Sequence, residues 1–344
     1  MIPGDAAPDP APPDPGQSDP APAPEPDAPP VKLPVFGLEG RSVPGLYLLG
    51  WIATVMGLGV LLVSFLAVGN PAAPWLFLAG LLLVTVGAFA ATGSQAVENA
   101  RRTDLAYRGP SPVRVFLVVF PVTLIGILVV LAPLSALGLD LLSPVATTIS
   151  LAVTTLVYAG VVRLLVVGPG ALAWRDMGLG IPARAAVRDL LIGALFAVPV
   201  LVVTLLLGGL LARFLQPSAS PLPPPGNILG LVANLVSAAI LAPIGEELFF
   251  RGFATTAWAR AIGAGPAIVR GAIFFALVHV LTQLDTSFGE GAQRALFSFV
   301  GLLPVSLSLG WLFLRRRSLY AAIGLHAAFN GLQLILLFAA ASGS

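Results

Sequence analysis

Residues 228–257 read ILGLVANLVSAAILAPIGEELFFRGFATTA, an apolar run long enough to cross the hydrocarbon of a bilayer as a helix, which takes about 20 residues. Three charged residues interrupt it: Glu246, Glu247 and Arg251. An ionisable side chain at membrane depth costs several kcal/mol, so it marks a functional position by default. The stretch therefore argues for a membrane-spanning helix and places chemistry on it.

Working outward, similar runs occupy about 45–68, 75–94, 115–138, 144–167, 190–211, 266–283, 295–314 and 319–340, which with 228–257 makes nine expected spans. Turn signals separate them, including Asn70-Pro71, Leu141-Leu142-Ser143-Pro144 and the run Pro221-Leu222-Pro223-Pro224-Pro225. Alternation with a period of 2 is absent, which excludes an outer-membrane barrel and predicts an all-α polytopic bundle. Composition agrees, since 57% of the 344 residues are hydrophobic and 10% are charged, against roughly 25% charge in a soluble domain. With no Cys, thiolate metal sites and Cys nucleophiles are excluded. Residues 1–43, rich in Pro, Ala and Asp at their start, are expected to be a disordered cytoplasmic tail; they lack the basic and apolar regions of a signal peptide. The tail's PxP spacing comes with acidic neighbours, which favours a solvated spacer.

The basic residues orient the spans. With the N-terminus inside, Lys32, Arg41, Arg101, Arg102, Arg108, Arg114, Arg163, Arg175, Arg184, Arg188, Arg260, Arg270, Arg315, Arg316 and Arg317 face the cytoplasm, and only Arg213 and Arg294 face out. This asymmetry accounts for the net charge of +2 by topology and calls for no nucleic-acid partner. The expected location is the cell (inner) membrane, N-terminus cytoplasmic and C-terminus outside.

Of the 16 Asp and Glu, all but Glu246 and Glu247 fall in the tail, loops or span ends, and both His of the chain, His279 and His326, fall inside spans. Glu247 and Arg251 are four apart on one helix face and can neutralise each other. Glu246 points about 100° away, with apolar Ala242 and Phe250 at the four-residue positions. A carboxylate in such surroundings suits a general base near neutral pH. At about 1.5 Å per residue, Glu246, His279 and His326 can all meet below the cytoplasmic face. His326 shares a face with Asn330, and His279 with Phe275. The chemistry implied is a Glu-activated water attacking a carbonyl, with the imidazoles either binding a metal or steadying an oxyanion.

Glu246-Glu247-x-x-x-Arg251, Phe275-x-x-x-His279 and His326-x-x-x-Asn330, in that order, resemble the three signature motifs of the CPBP intramembrane proteases, the group of type II CAAX prenyl endopeptidases, Abi proteins and bacteriocin-processing enzymes. Trp174-Arg175-Asp176-Met177-Gly178-Leu179 is similar to the family's cytoplasmic Trp-x-x-Leu-Gly-Leu stretch, with Met177 where Leu is usual. The resemblance spans about 115–340. It implies that Glu246 activates the water and His279 helps hold it, that His326 and Asn330 stabilise the oxyanion, and that Glu247 and Arg251 organise the site. Glu246, His279 and His326 would also match the ligand count of a catalytic zinc, so a divalent metal such as Zn is one expectation and a metal-free glutamate mechanism the other.

The family usually has about eight spans with these groups on the fourth, fifth and seventh; here they fall on the sixth, seventh and ninth. An additional N-terminal hairpin over 44–94 accounts for the shift, and the family's last helix has no counterpart after Ala341. The hairpin lacks a Gly-x-x-x-Gly dimer motif, and an anchoring or oligomerisation role is expected. The reading is an intramembrane endopeptidase in a lipid bilayer whose partner is a peptide or protein substrate. The single Lys beside 17 Arg suggests a high-GC bacterial genome, which favours a bacterial peptide or membrane protein over a prenylated substrate. The alternatives are a non-catalytic scaffold or bacteriocin self-immunity protein and, disfavoured because the buried Glu and His all follow residue 245, an ion-coupled transporter.

Overall fold

A computed structural model describes residues 37–38, 41–42, 44–218, 222, 227–280 and 288–342, all within the unit Val31–Ser344. Most of the tail, most of the Pro221–Pro225 break and the last residues of the expected seventh span lie outside them. Where the segment 1–43 is described it is not featureless, since Gly37–Leu38 (β1) pairs antiparallel with Arg41–Ser42 (β2).

The helices are α1 Pro44–Leu66, α2 Ala73–Ala100, α3 Pro112–Ala136, α4 Pro144–Val162, α5 Ala183–Leu211, α6 Ile228–Leu235, α7 Ala242–Glu247, α8 Thr256–Ile262, α9 Ala264–Val280, α10 Phe288–Arg316 and α11 Leu319–Ser342. α6 to α8 form one composite helix over 228–262. Among the described residues, eight helices are long and apolar enough to cross a membrane, and the protein is a multi-pass membrane protein. The segment expected as the seventh of nine spans is α9, of which the 17 described residues make about 25 Å of helix. It follows Gly263, whose φ of +87° breaks the composite helix in a conformation other residues rarely adopt.

Helix starts follow local chemistry. The Ser143 hydroxyl accepts from Ala146 N ahead of Pro144 in α4, and Asn227 Oδ1 accepts from Gly230 N at the start of α6. Within the composite helix, Val236–Leu241 and Leu248–Thr255 widen into π-helical turns around Pro243, which has no N–H to give the ladder. The Thr255 hydroxyl donates to the Phe250 carbonyl five residues back at 2.8 Å. Every residue from Leu248 to Thr255 is buried, because this helix is wrapped by α4, α9, α10 and α11.

Lipid tails are as apolar as these side chains, so close packing rather than water exclusion holds such helices together. Two apolar clusters result. One joins α2, α3 and α4 to Phe249, Phe250, Phe253 and Phe275; the other joins α5, α10 and α11 to Leu248. The acid-bearing turn lies where they adjoin. α5 and α11 touch backbone to backbone: a Cβ on Gly193 would collide with the Ala321 carbonyl and one on Gly324 with the Leu190 carbonyl.

The hairpin of α1 and α2 uses its glycines inward. A Cβ on Gly57 would lie 2.6 Å from Val84 N, and one on Gly50 2.7 Å from Ala91 N. Gly50 and Gly57 are seven residues apart, as are Gly80 and Gly87 on α2, so the spacing that packs α1 on α2 is seven rather than four. Arg114 of α3 lies over the rings of Tyr47 and Trp51, tying α1 to the remainder of the bundle.

Candidate functional site

The composite helix presents Glu246 and Glu247 in different directions, as one residue of helical rotation requires. Glu247 is fully buried and its Oε1 is shared. Arg251 Nη1 donates to it at 3.0 Å and His326 Nδ1 at 2.7 Å. Among the described residues, Glu247 Oε2 meets no donor. The Arg251 guanidinium, also buried, donates through Nη2 to the Ser306 hydroxyl at 2.9 Å and packs 4.3 Å from the centroid of the Phe275 ring. A buried cation thus has a carboxylate, a hydroxyl and an aromatic face around it, which is what keeps a charge affordable at this depth.

Glu246 keeps 18% of its side-chain surface exposed. Its Oε2 lies 3.7 Å from His279 Nε2 and 3.9 Å from His326 Nε2. Both imidazoles have their other nitrogen engaged. His279 Nδ1 donates to the Phe275 carbonyl at 2.9 Å, and His326 Nδ1 to Glu247. With Nδ1 of each ring engaged in this way, the Nε2 atoms are the ones nearest the Glu246 carboxylate.

The donor types are those of a zinc site with its outer hydrogen bonds in place. The spacing is not. Ligand atoms about 2.0–2.1 Å from a tetrahedral ion lie about 3.3 Å apart, whereas both carboxylate-to-imidazole separations are wider, and no group of three His, Asp or Glu among the described residues is arranged to hold a metal ion. The gaps are those a hydrogen-bonded water would bridge.

Five of the six residues singled out from sequence are therefore in mutual contact: Glu246, Glu247, Arg251, His279 and His326. Asn330, one turn beyond His326 on α11, donates through Nδ2 to the Ala238 carbonyl at 2.8 Å. It fastens α11 to the first π-helical segment, whose carbonyls need such donors.

The Trp174–Leu179 loop braces the same helices from outside. Trp174–Met177 is a 3₁₀ turn capped by Asp176, which accepts from Ala173 N at 2.8 Å and pairs with Arg260 at the end of α8 at 3.2 Å. The Gly178 carbonyl accepts from Leu319 N, the first residue of α11, at 3.1 Å. Met177, in the unusual motif position, is fully buried against Gly252.

Two features escaped the sequence reading. Ser306 is one serine among several on α10 and carries no pattern of its own. Asp189, expected at a span end, lies within α5, is 3% exposed and pairs with Arg316 and Arg188. Its helix begins at Ala183, seven residues before the expected start, because the polar turn Ala183–Asp189 is helical although not apolar.

The helices that carry this cluster, α6 through most of α11, coincide with a family match: residues 228–332 fit the family described as type II CAAX prenyl endopeptidase Rce1-like. That match supports a place among the CPBP proteins. All six motif residues fall inside the matched segment. No curated protein and no solved structure matches the chain.

Proposed function

We propose that this Rce1-like protein is an intramembrane endopeptidase in which Glu246 activates water against a peptide carbonyl. The observation that carries the reading is the pair of imidazole Nε2 atoms at 3.7 and 3.9 Å from one Glu246 oxygen, with both Nδ1 atoms tied back. A water held there gives one hydrogen to His279 Nε2 and the other to Glu246. As its oxygen attacks the carbonyl carbon, Glu246 takes the proton; when the C–N bond breaks, Glu246 returns it to the leaving amine. His326, positioned through Nδ1 by Glu247, lines the opposite side of the carboxylate. Arg251, itself held by Ser306, keeps Glu247 in place. No step passes through a metal.

The substrate is a peptide or membrane protein presented from the cytoplasmic side or within the bilayer of the cell membrane, with the N-terminus cytoplasmic and the C-terminus outside, as the arginine distribution favours. The test is cleavage of a quenched-fluorescent peptide library by detergent-solubilised wild type and by Glu246→Gln. The expected result is cleavage by wild type and its loss in the variant with the fold intact by circular dichroism. Equal cleavage by both would overturn the mechanism. Full cellular function of Glu246→Gln would instead favour a non-catalytic scaffold or self-immunity protein.

A further inference from the structure

We infer that Tyr158 is a further catalytic residue of this site, its hydroxyl donating a hydrogen bond to the oxyanion formed when water adds to the substrate carbonyl. The inference rests on the endopeptidase reading above.

α4 runs alongside the composite helix in the same direction. Thr148 meets Ser237 at 2.8 Å, Thr155 donates to the Leu241 carbonyl at 2.8 Å and lies against Gly245, and the Tyr158 ring packs 5.2 Å from that of Phe249 and 6.3 Å from that of Phe250. These contacts bracket Glu246 between Gly245 and Phe249. Helical side chains lean toward their own N-terminus, so a tyrosine whose ring is level with Phe249 extends its hydroxyl back toward the level of Glu246.

The residue is 7% exposed, yet its hydroxyl makes no hydrogen bond with any described residue. A buried tyrosine hydroxyl ordinarily finds a partner. The other groups expected to serve the oxyanion are partly engaged elsewhere: His326 Nδ1 meets Glu247, and one Asn330 Nδ2 hydrogen goes to the Ala238 carbonyl. Tyr158 adds a neutral O–H donor to these groups. It loses no proton in the step; its hydrogen bond strengthens as negative charge develops on the oxygen and relaxes when the carbonyl reforms.

The experiment compares wild type, Tyr158→Phe and Glu246→Gln on a peptide selected from the library by wild-type cleavage, with thermal unfolding measured for each. Tyr158→Phe keeps the ring packing and removes only the hydroxyl. The expected result is a fall in kcat of about 10²-fold, as for loss of one oxyanion donor, with KM and the unfolding temperature within error of wild type. Unchanged kcat in Tyr158→Phe, while Glu246→Gln is inactive, overturns the role of Tyr158 and leaves the glutamate mechanism standing. A kcat loss matched by a comparable drop in unfolding temperature, and repeated in a packing variant such as Phe249→Leu, overturns it in favour of a structural role. Cleavage retained in Glu246→Gln, or no peptide cut by wild type, counts against the endopeptidase reading itself and removes the inference with it.

Discussion

His326 on α11 donates Nδ1–H to the Glu247 oxygen that also receives Arg251, at 2.7 and 3.0 Å, so a single carboxylate atom orients an imidazole and neutralises a guanidinium arriving from two helices. The residues are 79 positions apart in the chain. Glu247 is thus both the electrostatic counterweight of the buried Arg251 and the group that selects which nitrogen of His326 faces Glu246.

Replacing Glu247 by Gln keeps the shape and removes the charge, leaving Arg251 buried without its partner. Breaking a buried pair in this way costs about 3–5 kcal/mol, and thermal unfolding in detergent should fall accordingly. A Glu247→Leu, Arg251→Leu double variant should recover most of that stability while remaining inactive. An unfolding temperature unchanged in Glu247→Gln would show that the pair is not what holds this region.

Ser306 supports Arg251 from α10 across 2.9 Å. Its replacement by Ala should cost about 1.5–3 kcal/mol, the range for a hydrogen bond to a charged group, and should lower kcat several-fold with little change in KM, because the loss reaches the reaction only through Arg251 and Glu247. Restored kcat in Ser306→Thr, which returns the hydroxyl, would support this; a KM effect alone would contradict it.

Gly193 and Gly324 set the distance between α5 and α11, where an added Cβ would meet the backbone carbonyl of the facing helix. Gly324→Ala should destabilise by about 3 kcal/mol or more, the upper range for overpacking, and displace His326 on the same helix. Gly209→Ala, where a Cβ meets nothing, is the control and should be neutral. Equal unfolding temperatures for the two variants would refute the close approach.

Because the carboxylate-to-imidazole spacing at Glu246 is wider than metal ligation requires, activity of the purified protein should survive prolonged dialysis against a chelator, with no stoichiometric zinc by elemental analysis. Activity lost to the chelator and restored by zinc alone would establish the metallo-mechanism in its place.

The chain has no cysteine, so single-cysteine labelling maps its orientation directly. Arg213→Cys, just past α5, should react with an impermeant maleimide on intact cells. Arg102→Cys, in an exposed pair with Asp104, should react only after permeabilisation. The pair contributes little stability, so the substitution is tolerable. The reverse pattern would invert the topology.

The sequence alone determined the all-α membrane architecture, the acid pair and the two histidines, and the physics behind each is local. A hydrocarbon layer about 30 Å thick demands apolar runs of a set length, and the cost of charge within it makes Glu246, Glu247, Arg251, His279 and His326 conspicuous without any knowledge of neighbours. What only the tertiary structure decided is which groups meet. Ser306 is an ordinary residue on its own helix and gains meaning only from Arg251 beside it. Asn330 turned to Ala238 rather than to the acid pair, Asp189 went inside because Arg316 was there to meet it, and the glycines of the first hairpin were spent on an internal seam at a spacing of seven. Each depends on how helices distant in the chain pack and rotate against one another, and periodicity along a single helix carries no record of its partner's face.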